Sequence, residues 1–339
     1  MTTNLHELHF RPEYVEGAFN AVHTCLHIET WEKVTVITDH ACQEIALAIV
    51  REMDNLGCAY NTFVLEDLTP RPLVEMPEAV LEDMETSQVS VYAVYAQMNE
   101  LKTRMQMTEV VNRRKIRHAH MVNIEHRIMC EGMRADFHKV DELSVRVQQI
   151  ASNAKQIRAT TAAGTDLVAD LRSDYKWIKT SGIITPFKWG NLPGGEVFTT
   201  PGEVNGTFVI DGVVGDYLCA KYGNLKESPL TIQVKGNRLV EAHSDNKELE
   251  REFWDYCHTD ENSDRVGEFA IGTNIGLKDV IGNILQDEKI PGIHIAFGNP
   301  YGAHTGADWY SGTHIDVVGR QFDIWADNHH IMEAGHFLI

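Results

Sequence analysis

The sequence predicts an α/β plus α+β protein. A parallel-sheet α/β domain, Rossmann-like, is expected over residues 1–160, and a mainly antiparallel β metal-binding domain over 161–339. Three observations carry this reading. Short β-branched runs alternate with helical stripes through the first half. Near Ala159 the texture turns to closely spaced strand-like runs broken by Gly and Pro. Residues able to bind metal fall inside those later runs. A chain of 339 residues is also long for a single average domain and suits two.

In chain order, Lys33–Thr38 (KVTVIT) reads as a strand. His40–Leu56 reads as a helix with Ile45, Ile49, Met53 and Leu56 on one face, ended by Gly57. Strands follow at Tyr60–Leu65, Ser90–Ala96 and His118–Ile124, with helices at Glu100–Met107 and Asp141–Ala154. Such alternation implies parallel pairing through right-handed crossovers. No GxGxxG follows the first strand, and Asp39 at its end reads as a helix cap, so a nucleotide site is not expected. In the second half, KGNR (235–238) marks a hairpin between two alternating runs, and helices are expected at Leu249–Tyr256 and Leu277–Ile284.

The formal net charge of −19 argues against nucleic acid and anionic membrane as partners. Six cysteines without a paired spacing suggest reduced thiols and a cytoplasmic protein. The N-terminal residues lack the pattern of a signal peptide, and no run is long and apolar enough for a membrane span.

The chemistry concentrates in GEFAIGTN (267–274), GIHIAFGNPYG (292–302) and SGTHIDVV (311–318). In a strand, residues i and i+2 share a face, so His314 and Asp316 offer an imidazole and a carboxylate side by side. Alone, this pair reads as a surface His and Asp on an edge strand. Glu268, His294, Tyr301 and, upstream in NLPGGEVFTTP, Glu196 give it company. A buried carboxylate without a partner costs several kcal/mol, and divalent cations would neutralise this set.

These motifs, in this order, resemble the aminopeptidase T and aminopeptidase S family of dinuclear metallopeptidases. The likeness covers residues 155–339 best and includes a His and a Tyr seven residues apart, here His294 and Tyr301. It implies six metal ligands: Glu196, Glu268, His294, Tyr301, His314 and Asp316. It further implies two divalent ions per chain (zinc, cobalt or manganese), Glu268 between them, and a water activated by both. The activity implied is release of N-terminal residues from peptides, in a homodimer. Glu268, Tyr301 and Glu288 are the candidate catalytic residues, although Glu288 also reads as a solvated loop residue. His304 and Trp309, in a Tyr301–His314 loop shorter than the family's, are candidates for the substrate pocket.

The same superfamily contains a mononuclear iron dioxygenase that opens dihydroxypyridine rings. It resembles this chain in size and in the HxD pair but has His where this chain has Glu268. Fe(II) would be the cofactor in that alternative, since a His-His-Asp triad suits oxygen-activating iron. An amidohydrolase acting on a small non-peptide molecule and a catalytically silent relative are the other readings. Elsewhere, His118 and His120 read as a strand's polar face, His329 and His330 as surface, Arg158 as an ion-pair partner, and Lys188 with Trp189 as a turn anchor.

Overall fold

A computed structural model describes residues 3–97, 99–186 and 189–339. Lys188 therefore lies outside the described residues. The chain forms two compact units, one of Met1–His138 with Gly182–Gly194 and one of Lys139–Ser181 with Gly195–Ile339. The expected boundary at 160/161 differs from this division. The Phe137–Asn153 helix places Leu143, Val147 and Ala151 in the core of the second unit, so most of it belongs there despite preceding the change of texture.

In the first unit four parallel strands pair in the order Ala59–Val64, Lys33–Thr38, Val89–Val94, Arg117–Val122, and Gly190–Asn191 adds a short fifth. The Val89–Val94 strand is buried at every position, as expected of a sheet covered on both faces. His118 and His120 accordingly do not form a polar surface. His118 is buried, its Nδ1 lies 2.8 Å from Ser90 Oγ, and its Nε2 lies 3.3 Å from His120 Nδ1. The His120 ring stacks on Tyr92. Burial lowers the His118 pKa to about 3, so the imidazole is a neutral core group.

Strand order reverses between Lys33–Thr38 and Val89–Val94, the place where open α/β sheets commonly bind ligands. Here the chain's own Arg71 occupies the strand ends. It is 3 % exposed and donates to Asp39 Oδ2 (2.6 Å), the Tyr95 carbonyl (2.7 Å) and Glu100 Oε2 (2.5 Å). Asp39 is not the N-cap of the Gln43–Leu56 helix, which is Cys42; its Oδ1 accepts from the Cys42 amide across the preceding turn.

The second unit contains two antiparallel sheets, one of eight strands and one of five. Arg158 pairs with Asp166 across a hairpin of the larger sheet, and His330 lies half-buried against Trp325. No helix spans Leu277–Ile284; the helical turn is Ile284–Asp287. The Asp287 carboxylate accepts from the amides of Ile281, Gly282 and Asn283, so those residues form a turn around it instead.

In the five-stranded sheet the order is His314–Val318, Gly292–Gly298, Val266–Gly272, Glu196–Thr199, Ile178–Thr180. One face carries Val197, Phe269, Ile271, Ile293, Ile295, Phe297, Ile315 and Val317 into the core. The other carries the chemistry. Close backbone approach fixes this sheet: a Cβ on Gly272 would meet the Ile290 carbonyl oxygen at 1.9 Å. Gly272→Ala is expected to cost about 3 kcal/mol of unfolding free energy, read from the urea midpoint at unchanged slope.

Candidate metal centre

Strand alternation brings the donors together. The register sets Glu268 opposite Ala296 and Ala296 opposite Asp316, while Ala270 faces His294 and Gly272 faces Glu196. Donors thus alternate with small residues on the face away from the core, which leaves space between their side chains. A bulge at Gly267 makes this possible. Val266 packs in the core with Phe269 and Ile271, yet Glu268, two residues on from Val266, points to the opposite face. Gly267 has no room for a side chain, since a Cβ would lie 2.3 Å from the Gly298 carbonyl oxygen.

Three overlapping groups have donor atoms close enough to share a cation: Glu196, Glu268 and His294; Glu268, His314 and Asp316; and Glu288, His294 and Asp316. The two oxygens of Glu268 point different ways. Its Oε1 lies 3.3 Å from His294 Nε2 and its Oε2 lies 3.7 Å from His314 Nε2. His314 Nε2 is 3.4 Å from Asp316 Oδ1. His314 Nδ1 is 3.0 Å from the Asn299 carbonyl, which can only accept, so Nδ1 carries the proton and Nε2 is the donor atom left for a cation.

Glu196 is held at one oxygen only. Its Oε1 accepts from Thr180 Oγ1 (2.8 Å) and pairs with Lys289 Nζ (2.7 Å). Its buried Oε2 has no hydrogen-bond partner and lies 3.5 Å from His294 Nε2. A buried carboxylate oxygen left open beside an imidazole and a second carboxylate fits a divalent cation. The donors, carboxylate oxygen and imidazole nitrogen, suit a divalent metal ion.

The electrostatics of the cluster are strongly mutual. Burial opposes charge on every member, yet Asp316 and Glu268 hold the His314 pKa up at about 10. Against the same burial, His314 draws Asp316 down to about 2. Burial raises Glu268 above the ordinary carboxylate range, and the neighbouring Glu196 adds to this. Glu288 is not a solvated loop residue: its side chain is 13 % exposed, and burial raises its pKa to about 8 over the opposing pull of Lys289.

Tyr301 follows the His294 strand with a left-handed backbone (φ 49°), uncommon for a tyrosine, and its ring lies 4.5 Å from that of His314. The residue is 41 % exposed, and desolvation with the carboxylates around it pushes the phenol well above its usual pKa. His304 is an exposed residue of the turn Gly302–Thr305. Trp309 is half-buried, with the Arg265 guanidinium 4.2 Å above its ring. Neither belongs to the three donor groups. Lys289 was not anticipated as part of the site; adjacency to Glu288 was its sole sequence signal.

None of the curated proteins matches the chain in sequence. Two solved structures share its fold nearly end to end. Wild-type AmpT from Thermus thermophilus superposes with a TM-score of 0.71 at 15% identity, covering 98% of this chain and 100% of that one. The 2,5-dihydroxypyridine dioxygenase of Pseudomonas putida gives 0.67 at 14% identity, covering 96% of each chain. The family described as thermophilic metalloprotease (M29) matches residues 133–319, more than half the chain and every donor named above. The chain belongs to this metalloprotease family and is a metal-dependent hydrolase.

Proposed function

We propose that this protein is an aminopeptidase that removes N-terminal residues from peptides with two divalent ions, of zinc, cobalt or manganese. The observation that carries the reading is the Glu268 carboxylate, whose oxygens face two different imidazoles, His294 and His314. Glu268 would be shared between the ions. Glu196 and His294 would complete one position, His314 and Asp316 the other, and Tyr301 would add a ligand. Bound ions supply the charge that acidifies a water and stabilises the oxyanion developing on the scissile carbonyl. Glu288, with its raised pKa, holds and passes the proton that the attacking water releases and the leaving amine needs. The carboxylate-rich site also favours the cationic α-amino group of a peptide. His304 and Trp309 would line the side-chain pocket.

Six free cysteines support a reducing, cytoplasmic location, and no helix among the described residues is long and apolar enough to cross a membrane. The assembly proposed is a homodimer, which light scattering tests.

Stripping the protein with a chelator is expected to abolish hydrolysis of aminoacyl-p-nitroanilides. Zinc, cobalt or manganese should restore it. One tightly held iron with oxygen-dependent ring opening, and no peptidase activity, would install the dioxygenase reading instead. The carboxylate of Glu268 argues against it, since that chemistry suits a His-His-Asp triad with an imidazole at this position.

A further inference from the structure

A lysine is buried inside this acidic cluster. Lys289 is 1 % exposed, and its Nζ lies 2.7 Å from Glu196 Oε1 and 2.5 Å from Glu288 Oε1. Its backbone is pinned as well: its amide donates to the Gln286 carbonyl, and its carbonyl accepts from the Asn274 amide. A fully buried ammonium is expensive unless carboxylates face it, as two do here.

Its placement is one-sided. The ammonium forms its ion pairs with Glu196 and Glu288 and reaches the position outlined by Glu268 Oε2, His314 and Asp316 only through its charge, felt at Asp316. The position outlined by Glu268 Oε1, His294 and Glu196 Oε2 uses a carboxylate whose other oxygen Lys289 already holds. That contact turns Glu196 so that its unpartnered oxygen faces His294, and it also places a positive charge next to where a second ion would sit. Formal charge points the same way. Glu196, Glu268 and Asp316, the carboxylates of the two positions, bring three negative charges and Lys289 offsets one. A first divalent ion brings that sum to zero; a second makes it positive.

We propose that Lys289 makes the two metal positions unequal. Its ammonium aims Glu196 at the second position while opposing a cation there, so Glu268, His314 and Asp316 fill first and the Glu196–His294 position fills weakly. Lys289 is thus a positioning and charge-setting residue. The inference rests on the two-metal reading above and adds an order of filling to it.

The test is titration of the metal-free full chain with manganese(II), followed by calorimetry and by the electron paramagnetic resonance of free and spin-coupled ions. Wild type should bind in two steps whose dissociation constants differ by at least about a hundredfold. Lys289→Gln, which keeps a donor for Glu196 without the charge, should tighten the second step by at least about tenfold and leave the first in place. Lys289→Arg should keep the wild-type pattern. If the glutamine variant does not fold, Lys289→Met is read in the same way, and the wild-type separation of steps decides on its own if both fail. Two ions of equal affinity in wild type, or a second step unmoved or weakened by the neutral variants, would overturn the role of Lys289 alone. Absence of any binding to wild type would instead remove the metal-centre reading beneath it.

Discussion

Glu268→Ala is expected to lower kcat/KM on aminoacyl-p-nitroanilides by at least about 10³-fold and to cut bound metal below one equivalent. The size follows from the shared carboxylate. Removing it takes one oxygen from beside His294 and another from beside His314, so both positions lose a ligand at once. The fold should survive, because Ala270 and Ala296 already occupy neighbouring places on the same face. The sign of the stability change separates function from folding. Burial and Glu196 raise the Glu268 pKa, so its ionised form is disfavoured in the folded, metal-free protein. That penalty is present above the unfolded carboxylate pKa, and the metal-free variant should therefore melt at or above wild type at neutral pH. Glu268→His should retain one position, with two imidazoles and Asp316, and bind about one equivalent of metal. Wild-type turnover in the alanine variant would remove the central claim.

Arg71→Ala should have the largest effect on stability, about 3–5 kcal/mol in the first unit. The arginine is not a surface partner: Asp39 and Glu100, which flank it, are each 1 % exposed. Without the guanidinium, two buried carboxylates face each other uncompensated, and the Tyr95 carbonyl loses a donor as well. The loss should depend on pH. Burial raises the Glu100 pKa, but Arg71 and the amides of Leu73 and Gln97 more than offset it, and the net shift is downward. A carboxylate so lowered stabilises the fold above its unfolded pKa, and this contribution fades as pH falls through the folded value. The difference between wild type and Arg71→Ala is thus expected to be full at neutral pH and to shrink in acid. Urea midpoints measured across that range check it. Glu66→Gln, at a more exposed contact of the same arginine, should cost less than about 1 kcal/mol.

Much of this was legible from residue order alone. The central parallel strands of the first unit, Lys33–Thr38 and Val89–Val94, announce themselves by β-branched runs, and Lys33–Thr38 falls where the pattern places it. Glu196, Glu268, His294, His314 and Asp316 could be named because each interrupts an apolar run with a polar group that burial would penalise. What escaped depends on neighbours distant in sequence. His118 and His120 look polar until the strands on either side cover them. The Leu277–Ile284 segment has helical composition, but Asp287 captures its amides. Lys289 reads as an ordinary surface lysine in QDEKIPG, and only the fold brings Glu196 to it from far upstream.

The bulge at Gly267 has a wider consequence. The four strands that carry Glu196, Glu268, His294 and His314 each devote one set of alternating positions to packing and the other to chemistry, and the glycine is where the Glu268 strand changes phase. Substitution on the donor face can therefore proceed without disturbing the interlocked side chains behind it. Such a sheet behaves as an interchangeable panel on a fixed frame.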